Sequence, residues 1–311
     1  MSRGRLMDLL RGVFLVAVLG FAFWGLHDRG GELLDTVQRT SVVGLVVAAA
    51  LVLAGLLVTS VAWLRLLAGY GHRMPPGEGQ RVFFVGQLGK YIPGSVWSMG
   101  AHADLARGFD VPMRVTVGTS LMFLWLNLAT SGLVAGLLAV SGWWRPGLRL
   151  WLVVLGLIGC VVGLLPPVVE RIGSRLAGAS GRLRLTWGAV GVLVGLMAVT
   201  WTCYAAATIA LAPTPSVDLF PVAAGAFTAA YAVGVLVVLA PAGIGAREVT
   251  LVALLAPVTG VTTATALALL TRALLTGGDL LLALLAWAVV RATRRRAVVS
   301  DPTVGGGWER S

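Results

Sequence analysis

Arg272 lies about 11 residues into the last long apolar run of the chain, and Asp279 follows seven residues later. Seven residues are two helical turns, so both charges fall on one face at mid-membrane depth. A charge at that depth faces a cavity or a partner, so the pair is either a functional site or a structural tie between helices. Two more cations, Lys90 and Arg247, stand within a turn of Pro/Gly breaks, in "GKYIPGSVWSMG" and "PAGIGARE". At such a break a new helix starts inside the membrane with its first N–H groups unpaired, and helix N-termini attract anions. Gly94 and Ser95 at the first break, and Gly243 and Gly245 at the second, let an anionic group approach the backbone closely. With Lys90 and Arg247 they make a phosphate-sized site. The alternative is packing: the glycines admit neighbouring helices, and the cations snorkel or pair with Glu248 and Asp104.

Other polar residues carry weaker signals. Ser120, Asn127 and Ser131 share one stripe of a long apolar run and either line a polar path or bond their own helix. His102, Asp104 and Arg107 lie close enough for phosphate chemistry by a membrane-embedded transferase, although a hydrated helix end explains them equally. His27, His72 and His102 lack metal-ligand spacing, and the chain has neither a phosphate-binding loop with Lys-Ser/Thr nor a serine elbow. No cofactor or metal is expected, and the protein is not expected to be an enzyme. Cys160 and Cys203 both fall in apolar runs and read as small hydrophobes. Gly159 and Gly163, and likewise Gly191 and Gly195, have the spacing of packing faces.

The elements that position these residues follow from composition. Of 311 residues 58% are hydrophobic and 12% charged, with mean hydropathy +0.90. Several runs reach the roughly 20 residues that cross a bilayer, and helices are the only open structures that can do so. The expected fold is an all-α integral membrane protein. Full spans are expected at 10–26, 41–68, 114–140, 148–169, 187–211 and 261–290, making six. Residues 81–106 and 219–257 are expected to be two Pro/Gly-broken helix pairs, either re-entrant or spanning. The first 28 residues have signal-peptide regions without a small-x-small cleavage site, so an uncleaved first span is expected.

The net charge of +11 follows the gaps between spans and does not indicate nucleic acid. Arg3, Arg5 and Arg11, then Arg65, Arg73 and Arg81, then Arg171, Arg175, Arg182 and Arg184, and finally Arg291 and Arg294 to Arg296 mark one side. The positive-inside rule makes that side cytoplasmic and places both termini there, in the cell membrane. In this topology the two broken pairs are entered from opposite sides. Gly86 precedes Pro93 by seven residues, as Gly234 precedes Pro241. Two such units of opposite polarity are the layout of an inverted repeat, common in alternating-access transporters. Residues 1–291 form one transmembrane domain, and 292–311 read as a basic, disordered tail.

"GQLGKYIPGSVW", followed by "LARGF" and later by "LAPAGIGAREVTLVALL", resembles the transmembrane domain of lysyl-phosphatidylglycerol synthases and its free-standing, flippase-like relatives. The likeness runs from about residue 10 to 291. It implies movement of a lipid between leaflets, or a related lipid-carrier role, rather than lysyl transfer. No aminoacyl transferase domain follows the transmembrane part in these 311 residues. Relatives in polyprenyl-linked sugar and hopanoid pathways leave the lipid open. By correspondence with the first motif the resemblance singles out Gln87, Lys90, Tyr91, Pro93, Gly94, Trp97 and Arg107. From the second it takes Pro241, Gly243, Gly245, Arg247 and Glu248; Ala242 stands where the family usually has Gly. The partner so implied is a membrane lipid with an anionic headgroup. The runner-up role is a non-transporting accessory subunit of a lipid-modifying glycosyltransferase; nothing in the sequence bears on the oligomeric state.

Overall fold

A computed structural model describes residues 30–91, 97–237 and 243–300, without the side chains of 30, 32–34 and 294–300. The expected first span at 10–26, together with Pro93, Gly94 and Pro241, lies outside the described residues. Among those described, the chain is helical without strands. The short α1 (Gly30–Arg39) leads into α2 (Val42–Gly69), whose first turn is capped by Ser41 accepting the Gly44 N–H at 2.9 Å. At 28 residues α2 is about 42 Å long, enough to cross a bilayer with tilt. The first broken pair is α3 (Pro76–Gln87), extended by a 3-10 turn over Leu88–Tyr91, and α4 (Trp97–Ala106). It is followed by α5 (Met113–Val140).

The run at 148–169 departs from the single span expected there. Helix α6 (Leu150–Leu164) stops before Pro166, and α7 (Pro166–Ala177) leaves at a bend of 67°. Proline forces the preceding residue out of helical geometry, and Leu165 is extended at φ −62°, ψ 131°. Fifteen residues give α6 only about 22 Å, short of a roughly 30 Å hydrocarbon core. Along α7, Pro166, Val169, Gly173 and Ala177 are buried while Arg171 and Arg175 are exposed. That one-sided pattern is the pattern of a helix lying at an interface.

The remaining elements are α8 (Trp187–Ala210), the second pair α9 (Phe220–Leu236) and α10 (Ala246–Thr259), and α11 (Val261–Ser300). Helix α9, with the preceding 3-10 turn from Val217, is long and apolar enough to cross by itself. Helix α11 continues ten residues past the expected end of the last span, so the start of the basic tail is helical.

Two units of matching order emerge, α2–α3/α4–α5 and α8–α9/α10–α11. Their packing exchanges as an approximate two-fold requires: α2 lies on α8, α3 on α11, and α9 on α5. Gly44 of α2 packs on Ala210, Thr59 meets Thr200 at 3.4 Å, and the Gly69 carbonyl accepts the Arg184 N–H at 2.9 Å. Numbers rise along α2 as they fall along α8, so these corresponding helices are antiparallel and the units are inverted. In both broken pairs a glycine lets the arms close on one another. Gly86 lies directly against the His102 ring, and a Cβ on Gly243 would come 3.0 Å from the Gly234 Cα.

Candidate substrate site at the two helix breaks

Helix α11 carries both charges to the breaks, but not as a pair. Between Arg272 and Asp279 the helix rises about 10 Å, beyond ion-pair reach. Each therefore meets a different break. The Asp279 Oδ2 accepts from Lys90 Nζ at 2.6 Å and from the Tyr91 hydroxyl at 2.7 Å, both on the 3-10 turn that ends the first arm. That carboxylate is 2% exposed, and its Oδ1 has no donor among the described residues. Arg272 Nη1 stands 3.5 Å from Oε1 of Glu248, in the first turn of α10. The Arg272–Asp279 tie that stood as the structural alternative is thus replaced by two ties from α11, one to each broken pair.

The helix start at the second break is not an empty anion site. Glu248 Oε2 accepts the Gly245 N–H at 2.6 Å, so the chain's own carboxylate holds the position an external anion would take. Gly245 at φ +87° and Gly243 at φ +69° shape this tight turn. Gly243 also contacts Gly234, so the glycine serves packing whether or not a ligand approaches it. Beside it, the Arg247 guanidinium lies 4.6 Å from the Phe227 ring centre and 5.6 Å from that of Tyr231. No carboxylate pairs with Arg247 among the described residues. Tyr231 and Tyr204 each meet Trp201 edge to face, and Tyr204 packs tilted against Phe227, so α8 and α9 surround the cation with aromatic rings. Lys90, Arg247 and Arg272 against Glu248 and Asp279 leave one positive charge in the group.

Other expected residues fall elsewhere. Gln87 is half-buried at the end of α3, and Trp97 opens α4 largely exposed. Arg107 is 64% exposed and reaches only Asp104, at 3.8 Å, and the Met113 sulfur, so it is not part of the group. Its place on the turn after α4 holds it at the surface. Asn127 donates to the Phe123 carbonyl at 2.8 Å and Ser131 to that of Leu128, so the expected polar stripe satisfies its own helix. Ser120 is drawn instead into a bond with His102 Nδ1 at 3.1 Å and accepts Trp63 Nε1. His102, 2% exposed, and Asp104, 78% exposed, face opposite ways, so His102, Asp104 and Arg107 do not converge. Tyr204, Tyr231 and Phe227 escaped the sequence reading. The available signal was that Tyr91, Tyr204 and Tyr231 are three of only four tyrosines and lie in apolar surroundings, where a hydroxyl needs a partner.

Compared with protein families, residues 9–283 match the one described as the lysylphosphatidylglycerol synthase TM region. Comparisons with curated proteins and with solved structures give no match.

Proposed function

The chain belongs to the lysylphosphatidylglycerol synthase transmembrane-region family and is a multi-pass membrane protein, and from that premise we propose that it carries lipids with an anionic headgroup between leaflets. One observation carries this reading: at each helix break a carboxylate of the protein occupies the position an anion would take. Glu248 sits on a helix start and Arg272; Asp279 sits on Lys90 and Tyr91. A headgroup phosphate entering the group exchanges for a carboxylate rather than adding a bare charge. Exchange keeps every buried charge paired, and an unpaired one is the state that low-dielectric surroundings penalise most. Arg247, with no paired carboxylate among the described residues, is the cation a phosphate can join without displacing one.

Movement follows from the inverted units. Two similar halves of opposite polarity can exchange conformations, opening the shared group first to one leaflet and then to the other. The ties from α11 to each break are the contacts that such an exchange must remake. No covalent step is involved. The arginine distribution puts both termini in the cytoplasm and the protein in the cell membrane.

Purified protein in phosphatidylcholine vesicles containing a trace of fluorescent phosphatidylglycerol tests the proposal, with a membrane-impermeant quencher reading the outer leaflet. Protein-dependent loss of the protected inner-leaflet signal supports it. A flat inner-leaflet signal alone, with the activity of a lipid-modifying glycosyltransferase appearing only beside this protein, would point to the accessory role. Covalently altered lipid would point to a transferase.

A further inference from the structure

The Asp279 carboxylate has a peculiarity that lipid binding alone does not use. Both of its donors converge on Oδ2, while Oδ1 is buried with no donor among the described residues. A buried carboxylate normally fills both oxygens, and one left bare is costly. The surroundings are specific. Lys90 and Tyr91 face it from the end of the first arm, and Tyr204 from α8. Arg272 and Thr276, on its own helix, flank Tyr91, but Arg272 is bound to Glu248 of α10, next to Arg247. From α2, the apolar Leu56, Val52 and Leu53 approach around Gly278. On α3 the nearest other charges, Glu78 and Arg81, bind each other, as do Asp35 and Arg39 on α1. Among the described residues Lys90 is therefore the single cation that pairs with Asp279. It is also 31% exposed, so the pair is open to approach from that side.

We infer that Asp279 is a proton-binding site, loaded when Lys90 turns from it to the lipid's anionic headgroup. This inference rests on the transport reading above and names its coupling ion. When a phosphate takes Lys90, Asp279 loses the one counter-cation, and keeps an oxygen without a donor, among the described residues. A hydronium ion from the aqueous phase then gives its proton to Oδ1, forming the O–H bond and leaving a water molecule. Lys90 stays an ammonium and passes to the phosphate, so charge is conserved and nothing is oxidised. Proton and anion therefore favour each other's binding, and by reciprocity each raises the affinity for the other. The consequence is co-transport: a lipid anion and a proton cross together, so lipid moves from the acid side toward the alkaline side. A metal ion fits less well. The ammonium at 2.6 Å already fills the cation position, and no group of three His, Cys, Asp or Glu side chains converges among the described residues.

Infrared difference spectroscopy on the purified full chain tests this without relying on transport. Lowering the pH should raise the carbonyl stretch of a protonated, buried carboxyl. Carbon-13 aspartate should shift that band, Asp279→Asn should remove it, and Lys90→Gln should bring it in at higher pH. Vesicles of phosphatidylglycerol, but not of phosphatidylcholine, should move its onset toward neutral pH. In the flux assay a pH gradient should bias the wild-type distribution toward the alkaline leaflet, and Asp279→Asn should show a ratio of one. Lipid movement with no aspartate band at any pH at which the protein stays folded would overturn the proton site and leave the transport reading standing. The band without lipid movement would uphold the site and sink the transport reading.

Discussion

Lys90 and Asp279 are expected to respond unequally to neutralisation, because only one of them can escape to water. Lys90→Met leaves a carboxylate that is 2% exposed with the Tyr91 hydroxyl as its sole donor among the described residues. Breaking a buried pair from one side costs about 3–5 kcal/mol. The partial exposure of Lys90 means the native pair is not fully desolvated, which puts the loss at the lower end, about 3 kcal/mol. Asp279→Asn leaves instead a long-stemmed ammonium that can swing to water, and is expected to cost about 1–2 kcal/mol. The double variant contains no unpaired charge and should lose only about 1 kcal/mol, so the two changes should couple by about 3–4 kcal/mol. The assay is reversible unfolding of purified protein in one detergent, run as a four-member cycle at neutral pH. Additive losses, or a larger loss for Asp279→Asn than for Lys90→Met, would refute the argument.

Other outcomes follow from the same geometry. Glu248→Gln removes the internal anion from the Gly245 N–H and Arg272, so purified protein should retain more phosphatidylglycerol, by about tenfold, read by mass spectrometry; the weakened cap should cost about 1 kcal/mol. Gly86→Ala drives a methyl into the His102 ring and should destabilise by about 1–3 kcal/mol, whereas Gly100→Ala meets open space and should be neutral or slightly stabilising in the same unfolding assay. For topology, Ser141→Cys at the end of α5 should react with an impermeant thiol reagent in intact cells, and Ser180→Cys only after lysis; the reverse would invert the orientation.

Much of the architecture was determined by local sequence. Apolar runs such as 42–69 and 113–140 must be helices, since lipid offers their backbone no other partner, and the chain alone places those spans to within a residue or two. The two Pro/Gly breaks, the seven-residue spacing of Gly86 and Gly234 from their prolines, and the shared face of Arg272 and Asp279 are likewise short-range patterns. Leu165-Pro166-Pro167 held the break in the 148–169 run in plain view, but hydropathy over a long window averages it away. What the sequence could not determine was pairing. Lys90 and Asp279 are brought together only because α3 packs on α11, and no periodicity encodes that contact. Nor could it say that Glu248 turns back to cap its own helix, or that Asn127 spends its amide on the Phe123 carbonyl. Those choices depend on which donors the tertiary packing leaves within hydrogen-bond reach. In a membrane interior, where water cannot substitute, the nearest partner decides what each polar group does.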